Sequence, residues 1–399
     1  MTNVATPPEF LPMDPMLLDE TDNHTLHRKG RFLFAALKKP HRVLSTCPVN
    51  GGLREDLAFI ANHQSCEAVG HAVNRHGAVM GMDPVNYHRL ACAESGLPPA
   101  TTALMGTAAN MQCAVLSRAI HGELTVRVAA TAGVLGNATR AGDPAGWHET
   151  PNGSVQMERS GTGTLSEPHA GTIVVLAFIG RPCTPGCLIR ASTLITEAKS
   201  TALLDLRIPS LQSPGLATGT GTDQLAVASP LAEDGGWERR FAGSHNTLGQ
   251  LLGRATHDAV TRCLLLQNGL CSELRRSVVG ALGRHGCDED KLCARAKTEL
   301  DGDSARLFIS NLEAIIHDPQ TATAAYCLAE SVDLARAGVL HQEVVREAIL
   351  NQAALLAATT ALKPEWFSEF RKILGKREAL GPGDMAALAV VLGFARKWT

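Results

Sequence analysis

GTIVVLAFIG, residues 171 to 180, is the stretch on which the fold turns: seven consecutive apolar residues, β-branched at the start, between two glycines. A run this short, with Gly punctuation and β-branched enrichment, reads as a strand buried on both faces. HRVLSTCPVNGG (41 to 52) and LTVRVAATAGVLGNA (124 to 138) have the same character. Immediately downstream, LIRASTLITEAKSTALLDLRI places Leu188, Ala191, Ile195, Ala198, Ala202 and Leu206 at helical spacing, and Pro209 ends the element. A second helix is expected over roughly 246 to 267. Strands alternating with helices to about residue 260 argue for an α/β domain.

Beyond about 272 the strand-like runs stop. Segments such as ESVDLARAGVLHQEVVREAILNQAALLAATTAL are rich in Ala and Leu at helical period. The expected architecture is therefore α/β: a sheet-containing N-terminal domain with flanking helices over 29–271, then a smaller all-helical region over 272–399. Residues 1–28, rich in Pro, Asp and Thr without periodicity, read as an extended or poorly ordered lead-in. Packing, oligomerisation and partner binding are the roles open to the helical region.

The chain has 399 residues, a formal net charge of −2 and no Lys/Arg run, so the broad positive field of a nucleic-acid binder is missing. No apolar window reaches the about eighteen residues of a membrane span, and the first thirty residues lack the form of a secretion signal. With eleven Cys in no disulfide-like framework, a cytoplasmic enzyme with reduced thiols is expected. Aromatic residues make up 4%, leaving few stacking platforms for a nucleobase.

Familiar signatures are absent. ATGTGTD (217 to 223) lacks the Gly-Lys-Ser/Thr of a phosphate loop and the third glycine of a dinucleotide fingerprint, and GTGT at 161 to 164 fails likewise. No Gly-x-Ser-x-Gly and no His-Glu-x-x-His occur. PCTPGC (182 to 187) separates Cys183 from Cys187 by three residues, one more than the deaminase zinc motif uses. No metal and no cofactor is expected.

What recurs instead is a set of neutral polar clusters near strand ends. These are Asn50, Gly51 and Gly52; Thr131 with Asn137; Thr172 after Gly171; and the loop Thr218, Gly219, Thr220, Gly221, Thr222, Asp223. Placed beyond the carboxyl ends of strands, such groups line a pocket for amides and hydroxyls, the glycines allowing close backbone approach. As tight turns, they would bond only to themselves. In TEAK (196 to 199), Lys199 falls on the apolar arc of its helix and needs a partner, Asp223 among the candidates, whereas Glu197 points about 200° away. His245 stands just before a helix capped by Asn246 or Thr247, where it could serve as acid or base.

Taken together, VNGG (49 to 52), TAGVLGNATRAGD (131 to 143), HAGTI (169 to 173), TEAKSTALLDL (196 to 206), ATGTGTD and AGSHNTLGQLLGRA (242 to 255) resemble the adenosylcobinamide amidohydrolase family over about residues 30 to 265. The resemblance implies hydrolysis of the amide joining aminopropanol to the corrin ring, giving adenosylcobyric acid for corrinoid salvage or remodelling. A large corrinoid edged with carboxamides suits a lining of neutral donors and acceptors. Two positions depart from the family pattern: Val174 where Asn is common, and Gln250 where Glu is common. A non-catalytic corrinoid carrier and a metal-dependent amidohydrolase acting on another amide are the competing readings.

For amide hydrolysis the expected catalytic set is Glu197, Lys199, Asp223 and His245. Asp223 or Glu197 would be the base, Lys199 would stabilise negative charge or tune that base, the backbone of Gly219 to Gly221 would form the oxyanion site, and His245 would be the acid. A threonine of the loop acting as nucleophile is the covalent variant.

Overall fold

The computed structural model describes residues 15–65, 82–151, 153–157, 171–377 and 380–398. The chain forms two units. The first combines the chain up to Gly142 with the segment ending at Asp205 and with Ala217–Gly269; the second combines the segment from Asp143, Leu206–Leu216 and the chain from Leu270 onward.

The first unit holds two sheets. One runs in the order β1 (Met16–Glu20), β2 (His24–Lys29), β3 (Phe32–Leu37), β6 (Phe59–Gln64), β7 (Thr102–Thr107), and only β6 and β7 are parallel. The other runs β5 (Gly52–Arg54), β4 (His41–Ser45), β15 (Gln224–Pro230), β13 (Ile173–Ile179), β9 (Leu124–Ala132), β8 (Val115–His121). Here only β13 and β15 are parallel. Parallel neighbours need a crossover, which is helix α2 (Pro185–Asp205).

All seven residues of β13 are buried, as its unbroken apolar run requires. Val174, Leu176 and Phe178 on one of its faces join Leu26, Leu33, Ala35 and Met105 in a core between the sheets. α2 and α3 (Thr247–Asn268) pack on the opposite side of the six-stranded sheet. α1 (Pro84–Ser95) covers the outer side of the five-stranded sheet through Ala91 and Cys92, against Phe32, Phe34 and Leu104. The layers are helix, sheet, sheet, helix.

Met16–Glu20 and His24–Lys29 differ from the lead-in reading: they are paired strands of the first sheet. The period-two signal was carried by His24 and Leu26, both buried, and a histidine at an inward position does not register as apolar. His24 is 3% exposed and stacks on Phe178 with ring centroids 4.2 Å apart. Burial, followed by the charges of His41, Arg127 and Lys38, pushes its imidazole down from 6.5 to about 3.

The folded protein thus binds this proton more weakly than the unfolded chain. Its contribution to stability is whole above about pH 6.5 and lost as the pH falls toward 3. His24→Gln is expected to flatten the acid limb of a stability profile between pH 6.5 and 4.5, by at most about 2 to 3 kcal/mol. Denaturant melts at stepped pH read this; an unchanged slope would contradict it.

In the second unit the chain is helical from Val278 to Ala395, apart from connecting turns. Its innermost helix, Pro382–Ala395, buries every residue from Met385 to Val391, the all-round apolar pattern of a central helix. It crosses Gln342–Ala361 so closely that a Cβ on Gly393 would lie 2.5 Å from the carbonyl oxygen of Ala357. Phe308 and Phe370 are fully buried beside it. A hairpin of β11 (Trp147–Thr150) and β12 (Gly153–Gln156) also falls in this unit.

Candidate functional site

Lys199 lies on the buried side of α2, beside Ile195, Ala198, Ala202 and Leu203. A lysine there requires a counter-charge, and its ammonium donates to Asp223 Oδ2 at 2.5 Å. The two side chains are 13% and 17% exposed. Asp223 takes three further bonds: Oδ1 accepts from the Ile173 amide at 3.0 Å and the Thr220 hydroxyl at 2.6 Å, and Oδ2 accepts from the Thr220 amide at 3.0 Å. A carboxylate has about four acceptor sites, so this one is fully used.

The alternation in ATGTGTD follows from that carboxylate. Gly219 and Thr220 form β14, paired with β10 (Ala138–Thr139). A Cβ on Gly219 would sit 2.3 Å from Asp223 Oδ2 and 2.6 Å from Lys199 Nζ, so only glycine fits. The hydroxyls of Thr218 and Thr222 tie the loop to neighbouring segments, and that of Thr220 closes the loop on itself. Thr218 accepts from the Ala141 amide at 2.8 Å, Thr220 donates to Asp223, and Thr222 meets the Thr172 hydroxyl at 2.7 Å. Asn137 Nδ2 donates to Gly171 O at 3.0 Å and to Thr222 at 3.4 Å. Gly221 is exposed, with Asn137 nearest to where its Cβ would be.

Lys199, Asp223, Thr172, Asn137 and residues 218–222 are therefore one cluster. Thr131 faces Val174 across β9 and β13, fully buried, and its hydroxyl accepts from Asn62 at 2.9 Å. Asn50, with a left-handed φ of 57°, donates to the carbonyls of Pro99 at 2.8 Å and Thr102 at 2.9 Å. Gly51 abuts Cys47, whose carbonyl oxygen would lie 1.9 Å from an added Cβ, and Gly52 opens β5 at φ 76°. Val174 lies in the core between the sheets. His169 and Ala170 of HAGTI lie outside the described residues.

The cluster differs from expectation in its place on the sheet. Gly171–Thr172 and 217–223 precede β13 and β15, so they stand at the amino ends of the parallel pair. Antiparallel β4 and β9 bring their carboxyl ends to the same edge. The neutral groups there bond largely to one another.

Glu197 and His245 are not in this cluster. Glu197 is exposed on the outer side of α2 and meets Arg190 at 3.0 Å. Arg190 Nε in turn lies 3.9 Å from where a Cβ of Gly243 would be. His245 is exposed two residues further on, before the Asn246 cap, whose Oδ1 accepts from the Leu248 amide at 3.0 Å. Gly249 lets this loop close on α3, since a Cβ there would lie 2.1 Å from the Gly243 carbonyl oxygen. Arg190, Glu197 and the loop carrying His245 thus share one surface, with Gln250 exposed at the start of α3. Arg190 was not foreseen; its spacing of seven from Glu197 on one helix face is the signal that could have found it.

At the opposite end of β13 and β15 lies a cavity of about 680 Å³, lined by Arg181, Glu123, Trp237 and Arg239 among others. The sequence reading did not anticipate it. Among the described residues, no group of three or more His, Cys, Asp or Glu is placed to hold a metal ion. Cys183 and Cys187 are buried against each other; their mutual hydrogen bond raises the Cys183 thiol and lowers that of Cys187.

The family model described as CbiZ, adenosylcobinamide amidohydrolase, matches residues 17–272, more than half of the chain. An uncharacterized protein of Methanocaldococcus jannaschii is 27% identical over 251 residues, covering 61% of this chain and 92% of that protein.

Proposed function

The chain belongs to the adenosylcobinamide amidohydrolase family, and on that premise we propose that it hydrolyses the amide joining aminopropanol to the corrin ring of adenosylcobinamide. Water adds to the amide carbon, the carbon–nitrogen bond breaks, and adenosylcobyric acid and protonated aminopropanol leave. The observation that carries the assignment of roles is that Glu197 and His245 are both exposed, and that Arg190, which pairs with Glu197, lies beside Gly243 of the loop carrying His245, where a bulky substrate can reach them. Glu197 takes the proton of the attacking water, and His245 gives one to the departing nitrogen. Arg190 orients Glu197.

Lys199 and Asp223 act as positioning residues. With its acceptor sites filled, Asp223 cannot take a proton without breaking a bond it already holds. The pair instead fixes α2 to the edge of the sheet, and α2 carries Glu197.

Incubating the protein with adenosylcobinamide and measuring released aminopropanol, with and without chelator, tests the activity. Release unaffected by chelator is expected. Glu197→Gln and His245→Asn are each expected to lower kcat by about 100-fold or more with little change in melting temperature, since both side chains are exposed. Near-normal turnover in both variants would remove these roles. Tight binding without release would favour a carrier, and loss of release with chelator would favour a metal-dependent amidohydrolase.

A further inference from the structure

We propose that the cavity at the carboxyl ends of β13 and β15 binds a phosphate-bearing molecule with a flat ring, of the nucleoside monophosphate class. The proposal does not use the catalytic roles assigned above, and the cavity adjoins that surface, its lining residue Thr247 standing two positions after His245. β13 spans about 20 Å, so the cavity is a separate place from the Lys199–Asp223 cluster at the other end of the same strands.

Location is the first reason. The cavity lies beyond the carboxyl ends of the parallel strands β13 and β15, the end at which α/β sheets characteristically hold ligands. Gly180, Pro182, Pro230 and Leu231 line its floor, and Thr247 brings in the positive end of the 22-residue α3. Its volume, about 680 Å³, suits a ligand of this size.

Charge is the second reason. Of the cavity's cations, Arg181 is bonded to Glu123, whereas Lys39 and Arg239 have no carboxylate partner among the described residues. Glu233 is the one remaining acid of the lining. Arg239 Nε is buried with no hydrogen-bond partner, beside the Cys183 and Cys187 thiols on which its charge acts, so the guanidinium is held in place without a carboxylate to neutralise it. The backbone of Arg239 is fixed in advance: its amide donates to Pro182 O at 2.9 Å, and its carbonyl accepts from the Thr184 amide at 2.9 Å. The guanidinium is therefore presented from an anchored chain and not from a loose loop.

The third reason is Trp237. It is 69% exposed although the Arg239 guanidinium lies over its ring, 5.2 Å from the centroid. One ring face is covered and the other meets solvent. An indole backed by a cation is a stacking platform, and the adjacent guanidinium places the phosphate beside the stacked ring.

The test is titration of the full chain with adenosine 5′-monophosphate, followed by tryptophan fluorescence and calorimetry, beside parallel titrations with adenosine and with inorganic phosphate. The nucleotide is expected to bind at least about 10-fold more tightly than either fragment. Arg239→Gln is expected to weaken it about 10- to 100-fold, and Trp237→Ala to bring it to the level of phosphate alone. No saturable binding of the nucleotide up to about 5 mM, a fragment binding equally well, or an unchanged Arg239→Gln affinity would overturn the proposal.

Discussion

Asp223→Ala is expected to destabilise the protein by about 3 to 5 kcal/mol, a loss that removing one partner of a buried ion pair typically causes. The substitution strips the acceptor from four donors at once: the Ile173 and Thr220 amides, the Thr220 hydroxyl and the Lys199 ammonium. The lysine, 13% exposed, is left in an apolar setting with no counter-charge. For a unit of this size, roughly 2 to 4 °C per kcal/mol translates to a melting point lower by about 10 °C. Adding Lys199→Met to Asp223→Ala is expected to restore part of the loss, because it removes the stranded charge. Thermal melts of the single and double variants decide the matter. A fall below about 1 kcal/mol would mean that water reaches the pair freely and that it behaves as a surface bridge.

Gly219→Ala is expected to cost about 2 to 4 kcal/mol by a different route, overpacking. The new methyl would stand 2.3 Å from Asp223 Oδ2 and 2.6 Å from Lys199 Nζ, closer than any real contact, so the ion pair must separate. Shortening Lys199 to alanine in the same chain removes one of the two clashing atoms and is expected to reduce the additional cost. Gly221→Ala provides the control: its Cβ would meet only Asn137, at 3.4 Å, and a change within about 0.5 kcal/mol is expected. Equal losses at the two glycines would show that backbone freedom, not the ion pair, explains the sequence of the loop.

Much of this was legible in the residues because helical geometry is rigid. Two residues of separation on a helix put Lys199 inside and Glu197 outside, and an inward lysine has to find an acid. The limits of α2 and α3 follow equally from apolar spacing, Pro209 and the Asn246 cap. The pairing of strands was not legible. β15 lies between β13 and β4, a strand some 180 residues earlier, and nothing local encodes such a partnership.

That same gap hid which end of the sheet the polar loops occupy. A loop that precedes a parallel strand and one that follows an antiparallel strand reach the same edge, and a linear sequence does not say which neighbours are parallel. Trp237 and Arg239 were missed for another reason. They stand in a glycine- and acid-rich loop with no periodicity, and the low aromatic content argued against any stacking platform.

The connectivity of the second unit has a consequence for where the gene can be divided. The segment Leu206–Leu216 belongs to that unit although the chain on both sides of it belongs to the first. Arg207 is tied to Glu330 at 3.0 Å, its carbonyl accepts from Arg275 at 3.0 Å, and the Pro214 carbonyl accepts from Arg284 at 2.8 Å. Every one of those partners lies downstream of the family match. A polypeptide stopped at Cys271 would leave this excursion without those three anchors. A cut placed at the end of the recognisable portion would therefore sever a segment of the second unit from the residues that hold it, and the border between the two units is not a single point in the chain.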